Sequence, residues 1–355
     1  MSIFKSRTIS IAGAGPAGLI TAINLARAGY DVIVHEQHPD VGMRFSEDFQ
    51  AIENWSSQED LLRTFCRIGI EPNFYCRPVR KVSSYGPRSS THVNFEQPIA
   101  YMVQRGCTKD TLDSSLKHQA LESGVHLRFG SCLTESEADI IAMGPRRART
   151  LAVGIIFETD LEECVALLLD DNLSPKGYAY VLVAEGRGTL CTVLYEKFNV
   201  GKGCLEATIS RFKDLLGMQI RNARYFGGHG DFDLTRSLMV EHRRYVGEAA
   251  GFQDYLFGFG IRYAMLSGYL AAKSIIEGSS YDKLCRDSFR SRLRTSLVNR
   301  YCYKFLGQSG YDMLVRASGR ACDPKQFWTR IYTRPFFRMV AYPLALRSNS
   351  LVRNR

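Results

Sequence analysis

The sequence predicts an α/β fold: a Rossmann-type nucleotide-binding domain interleaved with a β-sheet domain and followed by a mostly helical C-terminal region. Three observations predict it. Residues 9–36 read as strand, glycine turn, helix and strand. A second glycine-rich segment, 245–269, repeats the order of strand, loop and helix near the far end of the chain. Between them, 74–98 and 151–215 are rich in short strand patterns, the first broken by Pro78, Pro87 and Pro98.

Ile9 to Ala12 is short and apolar, as a buried parallel strand should be. Gly13-Ala14-Gly15-Pro16-Ala17-Gly18 has the G-x-G-x-x-G spacing of a dinucleotide-binding turn. Gly13 permits the turn, Gly15 lets backbone approach a pyrophosphate, and Gly18 lets helix and strand pack closely. Ala17 to Ala28 carries apolar residues at helical spacing, and Gly29 ends it. Its N-terminus offers free N–H groups and a positive dipole end to phosphates. Asp31 to His35 is the second strand, and Glu36 follows it, 21 residues beyond Gly15. An acid there is placed to accept hydrogen bonds from adenosine ribose hydroxyls.

Further along, Ser57 is expected to cap a helix from Gln58 to Ile68. Thr111 to Ser123 reads as helix, Val125 to Phe129 as strand, and Ala138 to Met143 as a buried strand. Leu205 to Leu216 and Phe289 to Phe305 read as helices. In the second glycine-rich segment, Glu248 follows a short strand, and a helix starts from Gly260 after a glycine loop. The acid is suited to a ribityl hydroxyl, and the helix N-terminus to the electron-rich end of an isoalloxazine. With the first turn, this makes FAD the expected cofactor, held by Gly13 to Gly18, Glu36, Gly247, Glu248, Gly258, Gly260 and Ile261.

The chain has 355 residues and a net charge of +10, with 45% hydrophobic and 23% charged residues. That composition is ordinary for a soluble globular protein, and no apolar run reaches the roughly 20 residues of a membrane helix. The 10 cysteines are scattered, without C-x-x-C or zinc spacing, so reduced thiols and a cytoplasmic setting are expected and no metal site is. Residues 281–355 hold 16 Lys+Arg and 4 Asp+Glu, so the first 280 residues carry a net −2. Aromatics interleave with this basic tail. It suits either a solvated helical appendage whose aromatics pack on the body, or peripheral contact with a membrane; nucleic acid is the least favoured partner.

Together these segments resemble the geranylgeranyl reductase family within the flavoproteins of para-hydroxybenzoate-hydroxylase type. The resemblance covers residues 7–275. It rests on the G-A-G-P-A-G-L start with Glu36, the Arg105 segment, the Gly247–Gly268 run, and Pro175-Lys176-Gly177-Tyr178-Ala179-Tyr180. It implies FAD-binding segments at 1–50, 99–150 and 239–280, a substrate-binding sheet domain at 51–98 and 151–238, and the basic region 281–355. The family usually carries Asp at Glu248, Pro at Tyr255, Glu at Phe259 and Trp at Tyr180. The resemblance implies a cavity beside the flavin walled by Tyr178 and Tyr180, with Trp55 on its border. Arg105 is expected near the isoalloxazine or pyrophosphate, and Arg44 near the adenosine or pyrophosphate.

The expected activity is FAD-dependent reduction of a carbon–carbon double bond in an apolar, isoprenoid-like or lipid substrate, by hydride transfer from flavin N5. The alternative is a flavin monooxygenase that hydroxylates or epoxidises an aromatic or polyene through a C4a-hydroperoxide. A third reading is a membrane-docked flavin-binding protein without catalysis. No second dinucleotide motif is visible, since Gly201-Lys202-Gly203 lacks the third glycine. The electron donor is therefore expected to be NAD(P)H bound transiently, or a redox protein.

Overall fold

The computed structural model describes residues 8–333 and 335–351. Strand Ile9–Ala12 lies parallel between Val32–Glu36 and Ile140–Ile141. The six-stranded sheet runs Met239–Val240, Arg243–Tyr245, Ile140–Ile141, Ile9–Ala12, Val32–Glu36, His126–Phe129. All its pairings are parallel except the Met239–Tyr245 hairpin at one edge. The sheet thus joins the two ends of the expected nucleotide-binding domain, as the α/β reading requires.

Helix Pro16–Arg27 starts with proline in its first turn and Gly15 at its N-cap. Proline suits that place because its missing N–H has no partner to lose there. The helix packs on Ile261–Ile276 at a distance only glycine allows. A Cβ on Gly268 would stand 2.3 Å from the Ala17 carbonyl oxygen, and one on Gly18 2.1 Å from that of Gly13. Thr21 fastens the crossing by donating its hydroxyl to the Gly268 carbonyl at 3.0 Å. Leu19, Ile20, Ile23, Val34 and Ile140 fill the space beneath and are fully buried, each worth about 1.5–3 kcal/mol.

A seven-stranded sheet, mostly antiparallel, forms the second layer. Its order is Arg221–Gly230, Thr150–Glu158, Arg187–Leu194, Tyr178–Ala184, Cys164–Leu168, Lys81–Tyr85, Ser90–Asn94. A three-stranded sheet of Phe49–Glu53, Ala100–Gln104 and Cys76–Val79 bridges the layers.

Several local expectations change. The helix expected from Gln58 runs Leu61–Arg67, and Asp60 rather than Ser57 caps it, accepting from the Leu62 N–H at 2.9 Å. The Ser57 hydroxyl is used earlier, by the Glu59 N–H. The buried strand expected at 138–143 is confined to Ile140–Ile141, because Gly144 turns the chain away at φ +79°. The helix expected from Leu205 begins at Gly201, so Gly201-Lys202-Gly203 is its first turn.

The C-terminal region is helical as expected: 281–303 is one near-continuous run, followed by Gln308–Arg320, Pro324–Thr333 and Pro335–Leu351. Tyr303, Tyr311 and Tyr332 turn inward and are buried against the body, whereas Phe305 is exposed. No helix of the described residues is long and apolar enough to cross a membrane.

The helix crossing gives a direct test. Gly268→Val should destabilise the fold by about 1–3 kcal/mol through overpacking, read as a lower midpoint in thermal denaturation, whereas Gly278→Ala, where a Cβ meets nothing within 4 Å, should stay near wild type apart from the modest strain of its positive φ.

Candidate functional site

A cleft of about 400 Å³ runs along the carboxyl ends of the parallel strands, the place where open α/β sheets bind ligands. Gly13, Ala14, Gly15, Pro16 and Ala17 form its floor, and Gly247, Glu248, Gly258, Gly260 and Ile261 its far wall. Gly18 lies behind the floor, packed against the Gly13 carbonyl and Ala142. The structure therefore gathers the two glycine-rich segments around one space.

Glu36 reaches the rim, but its carboxylate also organises the turn. One oxygen accepts from the Ala14 N–H at 3.0 Å and the other from the His38 N–H at 3.1 Å. Arg44 spans the cleft to Glu248 at 2.8 Å and donates to the His229 carbonyl. Arg105 borders the cleft, but its guanidinium is committed inside the protein. It is buried, pairs with Asp113 through two 2.8 Å bonds, and lies 3.9 Å from the centre of the Phe45 ring. Asp113 in turn accepts from the Gly106 N–H. Arg105 thus fixes the chain around 105–113 and spends its charge there.

The cleft fits a dinucleotide. A Cβ on Gly15 would meet nothing within 4 Å, so that glycine leaves open space where a pyrophosphate would approach. The first-turn N–H groups of helix Pro16–Arg27 point into the same space, unpaired by the helix ladder. Helix Ile261–Ile276 starts at Gly260 without an acidic residue in its first turn, so its positive dipole end is uncompensated. Arg262 does not oppose it, because its side chain is buried and donates to the carbonyls of Glu53 and Glu59.

A second, apolar cavity of about 230 Å³ adjoins the cleft. Its walls come from the seven-stranded sheet through Val82, Val93, Val165, Leu167 and Leu182, with Trp55, Phe259 and Trp328 closing it. The two spaces share Gln50, Tyr178, Tyr180, Phe257, Gly258, Gly260 and Ile261. Tyr178 and Tyr180 alternate around Ala179 and point the same way, their rings stacked 6.2 Å apart. The Tyr178 hydroxyl donates to the Phe257 carbonyl, tying the sheet to the loop before Gly260. Burial raises the hydroxyl pKa of both tyrosines well above its usual value, so both are neutral donors at this boundary.

The segment Gln50–Trp55, expected from the sequence to border the substrate, does line the cavity. Gln50 sits at the junction, its amide donating to Asp48 at 2.8 Å and accepting from Arg105 at 3.3 Å. One further part was missed: Gly227, Gly228 and Gly230 bring the end of strand Arg221–Gly230 against the cleft. Glycines inside a strand mark a close backbone approach, and that signal was available.

Fold and paired cavities define an α/β architecture in which a Rossmann-like nucleotide-binding core adjoins an apolar cavity. Residues 11–55 match the NAD(P)-binding Rossmann-like domain family. The chain is similar to the digeranylgeranylglycerophospholipid reductase of Methanosarcina mazei, with 23% identity over 87% of this chain and 88% of that protein. The enzyme of the same name from Haloferax volcanii is 23% identical over 89% and 90%. Among solved structures, a geranylgeranyl bacteriochlorophyll reductase-like protein from Thermoplasma acidophilum superposes with a TM-score of 0.71 at 17% identity, covering 96% of this chain and 97% of that one. The p-nitrophenol 4-monooxygenase PnpA from Pseudomonas putida gives a TM-score of 0.64 at 15% identity, covering 92% and 99%. The flavin-dependent halogenase CmlS gives 0.61 at 16%, covering 96% and 72%. The resemblance read from the sequence is borne out by these relatives.

Gly15→Leu should leave the fold intact and block the cleft, since its side chain enters open space. Dinucleotide content after gel filtration should fall from near stoichiometric to background, with an unchanged far-UV circular dichroism spectrum.

Proposed function

We propose that this protein is an FAD-dependent oxidoreductase that reduces a carbon–carbon double bond in an apolar, isoprenoid-like lipid. The observation that carries the reading is the shared boundary of the dinucleotide cleft and the apolar cavity along Tyr178, Tyr180, Phe257 and Gly260. Bound FAD supplies hydride-transfer chemistry at N5. The protein's own residues do the rest. Gly13 to Ala17 and the helix N-terminus bind the pyrophosphate, Glu36 the adenosine ribose, and Glu248 a ribityl hydroxyl. The N-terminus at Gly260 stabilises negative charge on the reduced ring. Tyr178, Tyr180 and Trp55 orient the alkene and exclude water. The cavity accepts hydrocarbon because few polar atoms face it.

The segments 1–50, 99–150 and 239–280 serve as the FAD-binding part of this assignment, 51–98 and 151–238 as the substrate-binding part. The donor is NAD(P)H acting transiently or a redox protein. The chain works in the cytoplasm at a membrane surface, which its basic tail contacts. Helix Gln308–Arg320 supports this: it exposes Met313, Arg316 and Arg320 while contributing Ser318 to the cavity wall. Helix Pro324–Thr333 likewise exposes Arg330 and contributes Trp328. A basic face at the cavity mouth suits entry of a lipid from an anionic bilayer.

The purified protein should show a flavin visible spectrum and release FAD on denaturation, identified by mass. Under strict anaerobiosis, with chemically reduced cofactor and geranylgeraniol as probe, saturated product should accumulate. Product that appears only with oxygen would overturn the reductase reading and establish the monooxygenase one. Sedimentation with vesicles containing anionic lipid should retain the protein, and Arg316→Glu with Arg320→Glu and Arg330→Glu should release it, each charge near the surface being worth about 1 kcal/mol.

A further inference from the structure

Behind the wall of the apolar cavity lies a pit of buried polar groups that the scheme above leaves unused. Glu53 ends strand Phe49–Glu53, Asp254 lies in the loop before Gly260, and Arg262 and Tyr263 open helix Ile261–Ile276. All four are nearly inaccessible to solvent. Glu53 Oε2, Arg262 Nε, the Tyr263 hydroxyl and Trp55 Nε1 have no hydrogen-bond partner among the described residues. So many orphaned polar atoms together are uncommon in a folded interior, where buried polar groups are paired. The pit abuts the cavity directly: Trp55, Phe259 and Ile261 line the cavity, and the Trp55 and Phe259 rings meet edge to face at 5.0 Å.

We propose that Glu53 and Asp254 form a buried proton store at the cavity wall, the source of the proton that alkene reduction adds beside the hydride. The inference rests on the reductase reading. Reduction of a double bond needs a hydride at one carbon and a proton at the other, and among the described residues that line the cavity none is a carboxylic acid, lysine or histidine. The hydride comes from a reduced flavin. The proton leaves a carboxyl oxygen of the store, is relayed by a water molecule across the wall beside Trp55, and bonds to the second carbon, which takes the π electron pair. The carboxylate is then reprotonated from solvent.

The surroundings of both acids favour the protonated form. Burial pushes Glu53 up to about 7, and the nearby Asp254 adds to this, while Arg262 and the Ser56 hydroxyl oppose it. Burial pushes Asp254 up to about 6 against the Phe257 and Leu256 N–H groups and the hydroxyls of Tyr332 and Ser296. Tyr263 faces both acids and Arg292. Arg262 also faces Glu59 and Arg292. Because the folded pKa values lie above the unfolded ones, the stability these acids contribute is complete below the unfolded values and is lost as pH rises through the folded ones.

The test is infrared spectroscopy of the full chain with its bound cofactor, with geranylgeraniol turnover beside it. Near pH 6 the wild type should show the C=O stretch of a protonated carboxylic acid, titrating away as pH rises through the values of the two acids and missing in part from Glu53→Gln and Asp254→Asn. The same variants should lower the rate of alkene reduction by about 10²-fold and shift its pH profile, while retaining full cofactor content. A wild type without the band overturns the proposal, whether or not either variant folds. Variants that reduce geranylgeraniol at the wild-type rate with an unchanged profile also overturn it. An intact band in a wild type that never reduces the alkene sinks the reductase reading and the delivery of this proton with it, while the store itself stands.

Discussion

The site depends on one close approach, that of helix Pro16–Arg27 to helix Ile261–Ile276. Each helix presents its N-terminus to the cleft. The two ends are held at a fixed separation because Gly268 admits the Ala17 carbonyl where any side chain would collide. A protein interior cannot yield by an ångström without loss of packing, so the crossing sets the width of the cleft. The strand order carries the same constraint outward. Ile140–Ile141 sits between Ile9–Ala12 and Arg243–Tyr245, which places the glycine turn and Glu248 on the same end of one sheet.

The boundary between cleft and cavity is built in a different way, by tethers from distant parts of the chain to backbone carbonyls. Tyr178 holds the Phe257 carbonyl. Arg300 donates to the carbonyls of Leu256 and Lys176. Its side chain is sandwiched between Tyr195 and Tyr303, 3.8 Å and 4.9 Å from the ring centres. A buried guanidinium is costly unless its donors are used, and here aromatic faces and carbonyls take the place of a carboxylate. Thr329 completes the set by donating to the Trp55 carbonyl at 3.0 Å. The basic tail is thus divided in function: its buried face braces the cavity, and its outer face carries the charge.

Much of this was legible in the sequence because it depends on local rules. The glycine spacing of 13–18, the strand pattern before it and the acid at 36 each follow from what a turn, a buried strand and a helix N-terminus need. The alternation of Tyr178 and Tyr180 fixed their common direction through the two-residue period of a strand. What was not legible depends on partners far away in the chain. Arg105 reads as a free cation until Asp113 and Phe45 are brought to it. Glu53 and Asp254 lie 201 residues apart, and no periodicity couples them. Even the cap at Asp60 turned on Asn54, whose Oδ1 takes the Leu61 N–H at 2.9 Å.

The tethering by carbonyls also bears on the order in which the protein is made. The strand at 9–12 is made well before its neighbour on one side and that strand's own outer partner, which arrive only with residues 140–141 and 243–245. The loop that borders the cavity is braced only when Arg300 and Thr329 emerge. Pairings this distant in sequence form slowly and leave apolar surface uncovered in the interval. The nascent chain must therefore carry an open, oily sheet face through most of its synthesis. That interval, rather than the finished fold, is where this architecture is most exposed to chaperones and to premature association.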